Sequence, residues 1–268
     1  MTTLTPWLHI LLALIAYFAA AVLASVVVRN IGGDLKSMAG RSSSRILVIG
    51  AVANLGVLVI VLLLLTLVDG LPISALGLTL TFTDMIGALL GAVTTVGLAL
   101  AFVGWLNQSG KIQTKRQALT LNGARLANLS LGWLVLFIVV LQEEVLYRGY
   151  VMVNLHTLST TAQLLISTAI FVLVHFLTNK VNRFQVISWS VSGLVLGGAY
   201  LISGSLWVSI VLHYATDLTN VMIFNITGQS SLLAISPALS ERQRAVYRGV
   251  YGIAITVMLL WLFGPALH

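Results

Sequence analysis

The chain has 268 residues, of which 59% are apolar and only 8% are Asp, Glu, Lys or Arg, where an ordinary soluble domain is roughly 25% charged. A mean hydropathy of +1.03 and the absence of cysteine exclude a soluble globular enzyme, a disulfide scaffold, a thiolate metal site and a cysteine nucleophile. The formal net charge of +7 is scattered between apolar segments, so it reads as a topology signal and no nucleic-acid partner is expected.

A bilayer-spanning helix takes about 20 apolar residues. In chain order the apolar runs are 7–28, 46–68, 85–106, 131–155, 162–178, 185–202, 206–226 and 250–267. They predict an all-α, polytopic membrane bundle of about eight transmembrane helices. The expected organisation is a single integral membrane domain over 1–268, with a motif-bearing core at about 131–226. The first run is too long for a signal-peptide core and no Lys or Arg precedes it, so it is expected to remain as a span.

Basic residues set the orientation. Arg29, Lys36, Arg41 and Arg45 follow the first run, and Lys111, Lys115, Arg116 and Arg125 follow the third, which makes both loops cytoplasmic. The segment from Asp69 to Asp84 has two acids and no base and belongs on the opposite face. Continuing the alternation brings Lys180, Arg183, Arg242, Arg244 and Arg248 to the cytoplasmic side. Trp7, Trp105, Trp189, Trp207 and Trp261 fall near run ends and fit an interfacial belt. With Trp133 at the cytoplasmic interface, Glu143 is about 15 Å deeper, half the hydrocarbon thickness. Residues 111–129 read as a loop plus an interfacial helix. His9, His156 and His268, near run ends, read as interfacial.

A short set of polar residues remains inside the runs: Glu143, Glu144, Arg148, His175, His213, Asp217 and Asn220. A charged residue at a helix centre costs roughly 2.5–3.5 kcal/mol on insertion scales, so these groups must face one another or a wet cavity. On an α-helix Arg148 lies about 40° round the axis from Glu144, the favourable acid-first spacing for an ion pair. Glu143 lies about 140° from Arg148 and has Tyr147 as its own i+4 neighbour. Geometry therefore assigns Glu144 to neutralise Arg148 and leaves Glu143 for general-base work. The plainer alternative is an ion pair plus a protonated Glu that brace helices, but one carboxylate suffices for one Arg. His213, Asp217 and Asn220 stand at i, i+4 and i+7 and form one polar stripe on a helix face. A lone His such as His175 is by itself more often a packed, hydrogen-bonded residue than a catalyst.

Carboxylate, two imidazoles and an Asx residue suit amide hydrolysis, in which one group deprotonates water and others stabilise the oxyanion. A three-ligand zinc site from His175, His213 and an acid is the chief chemical rival, although no His-Glu-x-x-His occurs. A serine mechanism built on Ser192 ranks third, since Ser190-Val-Ser192-Gly193 lacks the leading Gly of a nucleophile motif.

Glu143-Glu144-x-x-x-Arg148, Phe171-x-x-x-His175 and His213-x-x-x-Asp217, in this order and on separate runs, resemble the three motifs of the CAAX prenyl protease and bacteriocin-processing family, also called the Abi family. Leu76-Gly77-Leu78 is similar to a short feature common upstream in such proteins. The resemblance implies a metal-independent, glutamate-type intramembrane endopeptidase that needs no cofactor. It implies that Glu143 and His175 hold and activate water, that His213 and residue 217 line the oxyanion hole, and that Glu144 and Arg148 support the site. Prenyl-protease members carry Asn at the position of Asp217. Three readings stay open there: a protonated Asp217, an Asp217 that orients His213, or transfer of the role to Asn220. The implied partners are membrane lipid and a peptide or protein substrate at the membrane, prenylated or bacteriocin-like, and the implied location is the plasma membrane of a prokaryote. The competing classes are a non-catalytic membrane scaffold or bacteriocin self-immunity protein, and a proton-coupled transporter in which Glu143, His175 and His213 relay protons.

Overall fold

A computed structural model of the chain describes residues 5–31, 44–116, 123–178, 181–224 and 232–264. Lys36, Arg41, Leu119, Leu121, Lys180 and His268 lie outside the described residues. The helices are α1 (Thr5–Asn30), α2 (Ser44–Leu63, lengthened by a π turn Leu64–Val68), α3 (Phe82–Gln108), α4 (Gly123–Glu144), α5 (Thr160–Thr178), α6 (Arg183–Ser203), α7 (Leu206–Met222) and α8 (Glu241–Phe263). Beyond Glu144, α4 continues through a π turn, Val145–Val151, and a last turn, Met152–Asn154. Each apolar run has thus become one helix, in the expected order, and the protein is an all-α polytopic membrane bundle. Its strands are β1 (Gln113–Arg116) and β2 (Leu233–Ser236), an antiparallel pair.

Among the described residues, six helical stretches are long and apolar enough to cross a membrane: Thr5–Asn30, Ser44–Val68, Phe82–Gln108, Leu126–Asn154, Arg183–Ser203 and Glu241–Phe263. The two that fall short are α5 and α7. At 17 residues α7 is about 26 Å long, less than the roughly 30 Å of hydrocarbon, and His213, Asp217 and Asn220 dilute its apolar character. Two expectations need correction. The last helix starts at Glu241, because Ser240 forms a capping box with Gln243; Arg242, Arg244 and Arg248 are therefore helical residues. Residues 113–116 form β1, and from Gly123 the chain is already in α4, so the interfacial helix expected in 111–129 is not seen among the described residues.

The chain divides into two compact units. Met1–Leu76 with Leu119–Leu155 make the first, and Gly77–Ala118 with His156–His268 make the second. In the first unit α2 packs between α1 and α4, and the π turn of α4 packs on α1, α2 and the short 3-10 turn Ile73–Leu76. A buried polar knot closes this unit. The Nδ1 atom of His9 is bonded to Asp69 Oδ1, and Asn154 Nδ2 reaches Asp69 Oδ2 at 3.4 Å and the Tyr150 carbonyl at 3.1 Å. His9, read from sequence as interfacial, is buried because a partner 60 residues away takes it out of water.

In the second unit α3 and α7 run side by side in the same direction and are tied at both ends. Before α3, residues 77–79 act as a backbone strap: Leu206 N–H donates to the Gly77 carbonyl at 2.8 Å, the Trp207 indole to Leu78 O at 3.0 Å, and the Ser205 hydroxyl to Thr79 O at 3.2 Å. Gly77 has φ of 70°, and a Cβ there would sit 2.7 Å from Gly204 O, so only glycine suits the strap. Beyond α3 and α7, β1 pairs with β2. The ends of both helices therefore share one side, as the basic loops require. Gly193 and Gly197 on α6 let α5 approach closely, since a Cβ at either would strike Thr168 or Leu164 at 2.7 or 2.5 Å. A core of Leu196, Ala199, Val208, Leu212, Tyr251 and Ile255 joins α6, α7 and α8.

Asp69→Ala is expected to lower stability by about 3 kcal/mol, because it leaves His9 and Asn154 buried without their acceptor. Reversible unfolding in mixed detergent micelles measures this; a loss below about 1 kcal/mol would show that the knot is not a structural tie.

Candidate active site

The first unit carries the acids. Arg148 Nη1 donates to Glu144 Oε1 at 2.7 Å, and both residues are 0% exposed. A guanidinium so far from water is tolerated in a membrane helix only beside its counter-charge. The π turn that begins at Val145 changes the geometry assumed from sequence. Its i→i+5 bonding widens the turn, so the α-helical angle of about 140° between Glu143 and Arg148 does not hold here. The two carboxylates are still distinguished, by burial: Glu144 is fully enclosed, while Glu143 is half-buried. The phenols of Tyr17, on α1, and Tyr147 lie within electrostatic reach of Glu143. Gln142 is 1% exposed, and neither atom of its amide has a partner among the described residues.

The second unit carries the imidazoles. The Nδ1 atom of His175 lies 2.8 Å from the Phe171 carbonyl, one turn earlier on α5. A carbonyl only accepts, so Nδ1 carries a proton and Nε2 is the ring nitrogen turned to other contacts. The spacing Phe171-x-x-x-His175 thus fixes which nitrogen faces the carbonyl. The Phe171 ring also links the two histidines: its centroid is 4.3 Å from His175 and 6.3 Å, edge-on, from His213. On α7, Asp217 Oδ2 stands 3.7 Å from His213 Nε2, at ion-pair range but beyond a hydrogen bond. Asn220 Nδ2 donates to Asp217 Oδ1 at 3.3 Å. The register of α7 is set by Ser209, one turn before His213, which donates to the Leu196 carbonyl at 3.0 Å, and by Thr216, bonded to the Tyr251 hydroxyl at 3.2 Å.

The sequence-predicted residues therefore form two groups. Glu143, Glu144, Tyr147 and Arg148 lie together in the first unit, and His175, His213, Asp217 and Asn220 belong to the second. Sequence reasoning passed over Tyr17, Gln142 and Trp189. Trp189, assigned to the interfacial belt, packs its ring 5.2 Å from His175. The only signal for this contact was the Gly193-x-x-x-Gly197 pair that brings α5 against α6.

These helices and their enclosed ionisable residues define a multi-pass integral membrane protein. Residues 125–219 match the family model described as Rce1-like, type II CAAX prenyl endopeptidase, which supports the resemblance of the segment with the three motifs to the CAAX prenyl protease family. The match includes every motif residue through Asp217 and stops one residue short of Asn220. No curated protein and no solved structure matches the chain.

Two substitutions separate structure from chemistry in α4. Glu144→Ala leaves the Arg148 guanidinium buried without its counter-ion and is expected to cost 3–5 kcal/mol, on the scale of about that size for broken buried pairs. Gln142→Leu removes a buried amide with no partner among the described residues, and its expected effect is between neutral and about 1 kcal/mol stabilising. Detergent unfolding midpoints measure both; a Glu144→Ala protein as stable as the parent would contradict the structural role of the pair.

Proposed function

We propose that the chain is a metal-independent, glutamate-type intramembrane endopeptidase that hydrolyses a peptide bond of a membrane-associated substrate, prenylated or bacteriocin-like, in the plasma membrane of a prokaryote. One observation carries the reading: of two adjacent acids, Glu144 is fully enclosed and bonded to Arg148, whereas Glu143 is only half-buried. A general base must accept a proton from water within hydrogen-bond reach. Glu143 is the acid suited to that work, and the family resemblance gives His175 as its partner in activating water.

In the proposed reaction the water oxygen attacks the scissile carbonyl carbon while its proton passes to Glu143. The carbonyl π electrons move onto oxygen, and a ring N–H of His213 donates to that oxyanion. Collapse breaks the C–N bond, and Glu143 returns the proton to the departing amine. The position of Asp217 between His213 and the Asn220 amide favours the reading in which Asp217 orients His213. Asn220 then acts through Asp217. Glu144 and Arg148 brace the helix that presents Glu143, and Tyr147 flanks the acid.

Purified protein and a membrane-tethered peptide library supply the test. Glu143→Ala, His175→Ala and His213→Ala should each lower the cleavage rate by about 10²–10⁴. Combining Glu143→Ala with His175→Ala should cost little more than either alone, because groups that serve one water are not additive. Chelator should leave the rate unchanged. Loss of activity with chelator would favour zinc, and a parent protein that cleaves nothing in any lipid would favour the scaffold or immunity role.

A further inference from the structure

We infer that the second unit holds a binding site for the phosphate headgroup of an anionic glycerophospholipid, in the cleft between the end of α3 and the start of α8. The cleft encloses about 400 Å³, within the range of roughly 300–1,000 Å³ typical of small-molecule sites. Phe102, Trp105 and Val246 form its apolar wall, and Lys111, Arg242 and Gln243 its polar rim. Lys111 Nζ stands 4.6 Å from the centroid of the Trp105 ring, which holds the ammonium at the mouth. The nearby acid, Glu241, is already bonded to Arg244. Among the described residues neither Lys111 nor Arg242 meets a carboxylate. The first turn of α8 is occupied by its own Ser240–Gln243 capping box, so the charge of the cleft comes from the two side chains and not from the helix end.

Two features favour a lipid as the occupant. The cleft lies at the ends of two helices long and apolar enough to span a bilayer, on the side that the basic residues mark as cytoplasmic, where anionic headgroups concentrate. Its apolar wall also continues as an exposed stripe on α8, Val246, Val250, Ile253 and Val257, each 50–70% exposed and spaced at i, i+4, i+7 and i+11 along one helical face. A phosphate between Lys111 and Arg242 would therefore leave its acyl chains lying along this stripe.

Trp105 provides the reporter. Full-length protein is placed in vesicles with equal mole fractions of brominated phosphatidylglycerol or brominated phosphatidylcholine, and the Trp105 signal is obtained by difference from Trp105→Phe. Brominated phosphatidylglycerol should quench Trp105 in strong preference. Lys111→Gln and Arg242→Gln should each reduce this preference about fivefold, while Lys111→Arg and Arg45→Gln, the latter in the first unit, should keep it. Both cations are exposed, so their substitution should spare the fold, which circular dichroism checks. Equal quenching by the two lipids, or a preference that survives Lys111→Gln combined with Arg242→Gln, would overturn the assignment. A preference abolished by inorganic phosphate at constant ionic strength would assign the site to free phosphate and overturn the lipid.

Discussion

Hydrocarbon offers no water to a charge, so an ionised side chain in a membrane helix persists only where another group of the protein stabilises it. The Glu144–Arg148 bond is the most complete expression of that constraint here, with both residues wholly enclosed. That bond makes Glu144 a structural acid, because a carboxylate that compensates a buried guanidinium cannot give it up without a cost of several kcal/mol. In the proposed reading the neighbouring Glu143 carries the chemistry instead. The π turn belongs to the same arrangement: a wider turn is intrinsically less favourable than α-helix, occurs frequently at functional sites, and starts here directly after the two acids.

The placement of α7 rests on a different kind of bond. A helix of 17 residues with an ionisable stripe gains less from hydrophobic insertion than its neighbours, so polar contacts have to fix it. They come from the strap at residues 77–79, from Ser209 and from Thr216. In a bilayer such bonds are worth about 0.6–2 kcal/mol each, modest singly but sufficient in sum to set register. The Leu76-Gly77-Leu78 feature gains a physical meaning from this: two of its carbonyls, those of Gly77 and Leu78, receive the backbone N–H of Leu206 and the indole of Trp207, at the start of the helix that carries His213.

Hydropathy made the helices and their order legible, because insertion depends on composition over some 20 residues and hardly on partners. It failed at Arg242 and Arg244, where a window dominated by charge hid a helix start that the Ser240–Gln243 box defines. The Glu144–Arg148 pair was legible because i,i+4 contacts are local. The His9–Asp69 bond, 60 residues apart, and the His175–Trp189 contact between helices were not, since no local rule specifies them. The π turn was equally hidden: nothing in Val145-Leu146-Tyr147-Arg148 distinguishes it from an α-turn. Gly193-x-x-x-Gly197 was readable as a packing face and would have pointed to close contact of α6 with another helix, though not to α5.

The scarcity of acids finally bears on the division of roles. Of seven acidic residues, Asp34 lies outside the described residues and five have well-defined structural partners. Asp69 is bonded to His9, Asp84 caps α3 through Thr81, Glu144 holds Arg148, Asp217 stands between His213 and Asn220, and Glu241 holds Arg244. Glu143 differs in kind, because its electrostatic neighbours include two phenols, Tyr17 and Tyr147. Phenols donate hydrogen bonds without neutralising a carboxylate. The proposed division of roles asks of Glu143 what the acids fixed by a cation, an imidazole or a helix cap do not offer, a carboxylate that takes a proton from water.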